Sequence, residues 1–155
     1  MANFQDLFEY NTWANERLLA VTDGFSDNAL NAPMVELGGS VLYLLDHLAS
    51  VEAAFLGLMT ASGSRPSGDP RPYAEIRALF AANSAGYQAA LRHLLPRIEE
   101  RFEVPWFGRS FTIEQGLLHV ATHSVQHRAG VAAGIARAGA EAPGLDYIMW
   151  LSRHR

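Results

Sequence analysis

The chain has 155 residues, 49% of them apolar, and a formal net charge of −4 from 12 basic and 16 acidic side chains. That length suits one domain, 1–155, with its own core, and the apolar share argues against disorder. No basic block exists to neutralise phosphates, which argues against nucleic-acid binding as a main activity. Cysteine is absent, so disulfides, thiolate nucleophiles and Cys-based zinc or iron–sulfur sites are excluded. Any metal must use His, carboxylate, amide or water. The first twenty residues carry Asp6, Glu9, Glu16 and Arg17 and do not resemble a signal peptide. No run approaches the roughly 20 apolar residues of a membrane span, so no membrane partner and a cytoplasmic location are expected.

The pattern over 3–22 predicts the first helix. Asn3 is its N-cap and Asp6 lies in the first turn, where the helix dipole favours an acid. Phe4, Leu7, Phe8, Leu18 and Leu19 form an inward stripe, and Asn11 and Asn15 fall on the same stripe. Two amides on an apolar face need partners, because an unsatisfied one costs about 1–3 kcal/mol. They either bond each other and nearby loops or line a polar pocket. Trp13 lies roughly opposite, where it can cover an added helix or another subunit. Residues 23–39 read as a loop, punctuated by Gly24, Pro33 and Gly38–Gly39.

Ser40 is the N-cap of a second helix over about 41–60. Leu44, His47, Val51, Ala54 and Leu58 share its packing face, with Asp46 and Glu52 pointing elsewhere. A lone histidine on such a face is usually a satisfied core residue. Residues 61–72 form a Gly/Pro/Ser linker, and a third helix runs from Tyr73 to about Arg101, bent or divided at Pro96. His93 on it has no partner at ligand spacing and reads as structural or solvent-facing. Residues 102–111 are extended, with a short two-stranded ribbon around Gly108 as an option.

The fourth helix opens on a capping box, Thr112 with Gln115 three residues on. It continues to about Gly139, and Asp146 caps a short fifth helix that Tyr147, Met149 and Trp150 dock onto the bundle. The fold class is therefore all-α, a four-helix bundle with a short C-terminal fifth helix. A homodimer is expected on general grounds, through an aromatic face such as that of Trp13 or Trp150.

On the fourth helix His119, His123 and His127 stand four residues apart, on one strip of its surface. His123 and His127 have the i, i+4 spacing with which two helix imidazoles hold one metal. Gly116, Gly130 and Gly134 lie on the same side. Helical glycine costs up to about 1 kcal/mol each, so a partner helix or a ligand approaches closely there. With His47 from the second helix, a set of three imidazoles becomes available, which suits Zn²⁺, Ni²⁺, Fe²⁺ or Mn²⁺. Three protein donors leave room for water or substrate, the layout of a catalytic site. Ser124 follows His123, so the general base of an HExxH motif is missing. Glu114 and Glu52 are the only carboxylates that suggest themselves, and nothing in the spacing supports either.

Three stretches resemble one family: YNTWANERLL from Tyr10 to Leu19, GSVLYLLDHLASVE around His47, and LLHVATHSVQHRAG from Leu117 to Gly130. They are similar to the DinB-like superfamily of damage-inducible, metal-binding four-helix bundles, which includes thiol-dependent S-transferases and maleylpyruvate-isomerase-like enzymes. The resemblance implies long crossing connections in place of an up-down-up-down order, and a metal held by His47, His123 and His127. It places His119 behind the ligands or as a proton acceptor. Two positions depart from the family pattern: Gln126 stands where a His usually precedes the last ligand, and Ala129–Gly130 replace Gly-Gln. Gln126 can supply hydrogen bonds but cannot take a proton.

The implied function is a divalent-metal-dependent enzyme, a transferase activating a low-molecular-weight thiol for attack on an electrophilic small molecule. With no Cys in the chain, the thiol comes from solution. The alternatives are a non-enzymatic metal-binding stress-response protein and a metal-dependent hydrolase or isomerase.

Overall fold

A computed structural model describes residues 3–63 and 70–155. Four long helices form the bundle: α1 (Phe4–Thr22), α3 (Val41–Met59), α4 (Tyr73–Leu94) and α5 (Ile113–Arg137). The short α2 (Asp27–Asn31) precedes α3, a ribbon of β1 (Arg101–Val104) and β2 (Arg109–Thr112) joins α4 to α5, and α6 (Tyr147–His154) follows.

Helix starts follow local chemistry. Asn3, Ser26 and Ser40 each accept a backbone N–H from the first turn of the helix they cap. The Thr112–Gln115 capping box is complete: Thr112 Oγ1 accepts from the Gln115 N–H at 3.2 Å, and Gln115 Oε1 from the Thr112 N–H at 2.9 Å. The ribbon pairs antiparallel, with Phe102 opposite Phe111.

The core has two halves. Leu18, Leu19, Leu44, Leu45, Leu48, Ile76, Phe80, Val131 and Ile135 fill the end near Ser40. Phe4, Phe8, Val51, Phe55, Tyr87, Leu91, Leu117 and Val120 fill the end near the ribbon. Early residues of both α3 and α4 lie in the first half and late residues of both in the second, so these neighbours run parallel. The helices α1 and α5 run the opposite way. That is the crossing topology expected from the resemblance. The most extensive pairing is α3 on α5, and glycines on α5 permit it. A methyl group at Gly134 would sit 2.6 Å from Val41, and one at Gly116 2.8 Å from the Phe102 ring. The object approaching these glycines is therefore protein.

Four expectations need correction. The 23–39 loop contains α2 and a 3-10 turn at Val35–Leu37, and Leu30 and Met34 from it are buried in the core. A five-residue helix is too short to show a period. The third helix ends at Leu94 rather than near Arg101, and continues only as a 3-10 turn through Pro96, because proline lacks the N–H and crowds the preceding turn. Met149 is 48% exposed. The docking face of α6 is instead set by Trp150, packed with Tyr10 and Ala14. Finally, Val35–Met59 is long and apolar enough to cross a membrane by composition, yet 67% of its most apolar window is buried inside the bundle; it is the core helix.

Trp13 covers an added helix, α6. Its ring lies 6.4 Å from His154, and His154 stacks on Trp150 at 5.2 Å. Trp150 is thus buried within one chain, and Trp13 is partly buried against α6. The linker expected at 61–72 lies partly outside the described residues. Arg71 near its end donates to the buried Asp46 at 2.6 Å and to Ser50 at 2.7 Å.

Candidate metal centre

His47 projects from α3 toward α5, where His123 and His127 stand one turn apart. One ligand atom from each of the three lies within 4.8 Å of the other two. The Nε2 atoms of His47 and His123 are 3.2 Å apart. Three nitrogens bound tetrahedrally at about 2.0–2.1 Å from one ion would be about 3.3 Å from each other. The donor set therefore fits a divalent ion. All three rings are half-buried, so solvent and a small molecule can reach the cluster.

Electrostatics agree with ligation. Burial pushes the His123 pKa down to about 3, helped by repulsion from His127, His47 and His119. Burial also lowers His47 and His127. Neutral imidazoles present lone pairs at pH 7, as a metal requires. The Nδ1 of His123 is buried without a partner. Metal-bound histidines usually donate the other ring N–H to an acceptor, and among the described residues His123 has none. Its ring is held by packing between His119, His47 and His127, at centroid distances of 5.4, 5.1 and 4.3 Å.

His119 is not one of the three. It is exposed and lies against Phe55, with ring centroids 4.5 Å apart. Desolvation lowers its pKa as well. Tyr43 stacks on His47 in nearly parallel planes, 5° apart.

Beneath the histidines, on the interior sides of α3 and α5, lies a sealed polar layer. Glu52 and Arg128 are each 2% exposed. Asn11 and Asn15 bridge them. Their Nδ2 groups donate to Glu52 Oε1 at 2.7 and 3.0 Å, and their Oδ1 atoms accept from Arg128 Nη1 at 2.6 and 2.9 Å. Ser124 Oγ adds a third bond to Glu52 Oε1 at 2.9 Å. Arg128 also lies over the Tyr10 ring at 5.4 Å, and Tyr10 Oη donates to the Leu145 carbonyl at 2.6 Å. The two asparagines thus serve a charge pair rather than each other. A void of only about 10 Å³ touches them, room for about one water.

The remaining candidates are dispersed. Gln126 is exposed, a third of a turn from His127, and Glu114 is exposed in the first turn of α5. His93 is exposed on α4. What sequence reasoning missed is the Glu52–Arg128 pair. A usable signal exists: Glu52 is the sole charged residue from Leu48 to Met59, on a helix otherwise apolar or small there. A buried charge in such a run demands a partner.

Comparison with known proteins agrees with the fold. The model of the DinB family matches residues 1–153. A crystal structure of a DinB-like protein from Bacillus cereus superposes with a TM-score of 0.74 at 16% identity, covering 91% of this chain and 94% of that one. At that identity the likeness concerns the fold. Among curated proteins, none matches the sequence.

Proposed function

The chain belongs to the DinB family, and from that premise we propose that it holds one divalent ion at His47, His123 and His127 and works as an enzyme on a small molecule. The observation that carries this reading is the convergence of three neutral imidazoles from two helices within 4.8 Å. Three protein donors on a face that solvent reaches is the arrangement of a catalytic site, not of a closed structural one.

We assign the reaction to thiol transfer. A divalent ion, when bound, lowers the pKa of a coordinated thiol or water and orients it. The sulfur attacks an electrophilic carbon, the new carbon–sulfur bond replaces the bond to the leaving group, and the leaving group departs with the bonding pair. His119, neutral at pH 7 because desolvation lowers its pKa, is the acceptor for the thiol proton. Gln126, exposed beside His127 in the sequence, offers hydrogen bonds only. Glu52 is no general base in this scheme, because it is sealed in the bundle and engaged by Asn11, Asn15 and Ser124.

The test is elemental analysis of the purified, untagged protein beside His123→Ala. Near-stoichiometric Zn, Ni, Fe or Mn that disappears in the variant supports the site, and turnover of a thiol with an electrophile by the loaded protein supports the reaction. No metal after reconstitution with all four ions overturns it.

A further inference from the structure

The ribbon end of the bundle carries an aromatic arrangement that ligation leaves unused. Phe55 is its hub, with ring centroids 4.5 Å from His119 and 6.2 Å from Trp106. The series of rings continues from Trp106 to Phe107 at 6.1 Å and from Phe107 to Phe111 at 6.4 Å. These rings do not close on one another. They leave a pocket of about 300 Å³ lined by Phe55, Phe107, Phe111, Gln115, Gly116 and His119, at the lower end of the range for small-ligand sites. Phe107 remains 58% exposed at its edge. The wall is anchored, because Gly116 lets Phe102 of the ribbon lie directly against α5.

The lining specifies chemistry. No Asp, Glu, Lys or Arg contributes to it. Its polar groups are Gln115 and His119. The Gln115 Oε1 is engaged by the Thr112 N–H, which leaves the amide N–H groups to donate. Neighbouring rings meet edge to face, at 79° for Phe55 with Trp106 and 78° for Phe107 with Phe111, the packing that a further aromatic ring can join. A cage for a cation typically pairs several ring faces with the positive charge, and an anion would find no fixed positive charge among the lining side chains. One turn along α5, His119 adjoins His123 at 5.4 Å.

We propose that this pocket binds the body of an uncharged aromatic small molecule, with its polar substituent turned toward His119 and the histidine cluster. The pocket would thereby select the substrate of the metal centre, and in that respect it rests on the reading above; the binding itself requires no metal.

Ligand-observed NMR with three probes tests it: benzyl alcohol, benzoate and benzyltrimethylammonium. The titrations use the protein as purified, the same protein after chelation, and His123→Ala. Benzyl alcohol is expected to bind all three samples, and in the chelated protein and His123→Ala the two ions are expected to bind at least about tenfold more weakly. Phe107→Ala, at an exposed position, is expected to weaken benzyl alcohol about tenfold with an unchanged melting temperature, and Phe111→Ala is the second variant. Absence of binding, equal binding of the three probes, preference for the cation, or full affinity in both Phe variants overturns the proposal. If benzyl alcohol binds a protein that carries no metal even after reconstitution, the pocket stands and the metal reading falls. If metal is present and benzyl alcohol does not bind, the reverse holds.

Discussion

Two polar clusters share the same stretch of α3 and α5, and they are built on opposite principles. The Glu52–Arg128 layer is sealed, opposite in charge and almost fully hydrogen-bonded through Asn11, Asn15 and Ser124. The histidine cluster is half-buried, made of like groups, and leaves a buried His123 nitrogen unpartnered. One matches its donors to acceptors, with Arg128 Nη2 alone left without a partner among the described residues. The other gathers three donors of one kind, and burial lowers their pKa values. Three neutral imidazoles gathered on a half-buried face, one with a buried nitrogen left unpartnered, offer lone pairs that the protein itself leaves unused, which points to a ligand. The sealed layer stabilises the interface that brings them together, since α5 carries Ser124 and Arg128 in alternation with His123 and His127.

Breaking the sealed layer should have the largest effect on stability. Arg128→Ala or Glu52→Ala leaves a buried charge unpaired and is expected to cost about 3–5 kcal/mol in chemical denaturation. A loss below about 1 kcal/mol would show that the layer is not the structural one. Arg128 is held below its usual pKa by burial, so the penalty falls on a group already poorly solvated.

The histidine cluster should answer in the opposite way. His47→Ala and His127→Ala are each expected to lower metal affinity more than about 100-fold, beyond the roughly 10–100-fold typical of outer partners. In the metal-free state they should leave the melting temperature close to that of the parent. Unchanged metal occupancy would dissolve the distinction between the clusters.

Acid should sharpen the comparison. The folded-state pKa values of His47, His123 and His127 lie below the ordinary 6.5, with His123 at about 3. The unfolded chain therefore takes up protons first. The stability of the metal-free protein should be fully present above about pH 6.5 and decline as pH falls from there toward 3. His123→Ala should flatten that decline. Titration of melting temperature against pH in both proteins measures it, and parallel curves would count against the cluster as its source. The smallest effect belongs to His93→Ala, exposed on α4, which should change stability by less than about 0.5 kcal/mol and metal content not at all.

Much of this was legible in the residues. The caps at Asn3, Ser40 and Thr112, the break at Pro96, the ribbon around Gly108 and the i, i+4 histidines are local features, and local chemistry decides them. Family resemblance added the topology and brought His47 to the other two histidines. Less was readable where contact is long-range. Leu30 and Met34 enter the core from a segment with no period of its own, and Met149 turns outward because Trp150 takes the available place against Tyr10 and Ala14.

By itself, then, the sequence determined which four long segments are helical, where they start, and that two imidazoles share one helical strip. These depend on interactions within a few residues along the chain. Only the tertiary structure decided that Asn11 and Asn15 bridge Glu52 to Arg128 rather than line a roomy pocket. It also decided that Trp13 meets α6 and that Phe55, Phe107 and Phe111 enclose a space beside His119. Those outcomes depend on partners far apart along the chain, such as Asn15 with Glu52, 37 positions apart, and Asn11 with Arg128, 117 apart. Helical periodicity specifies the face a side chain occupies, whereas the packing of helices specifies what that face meets.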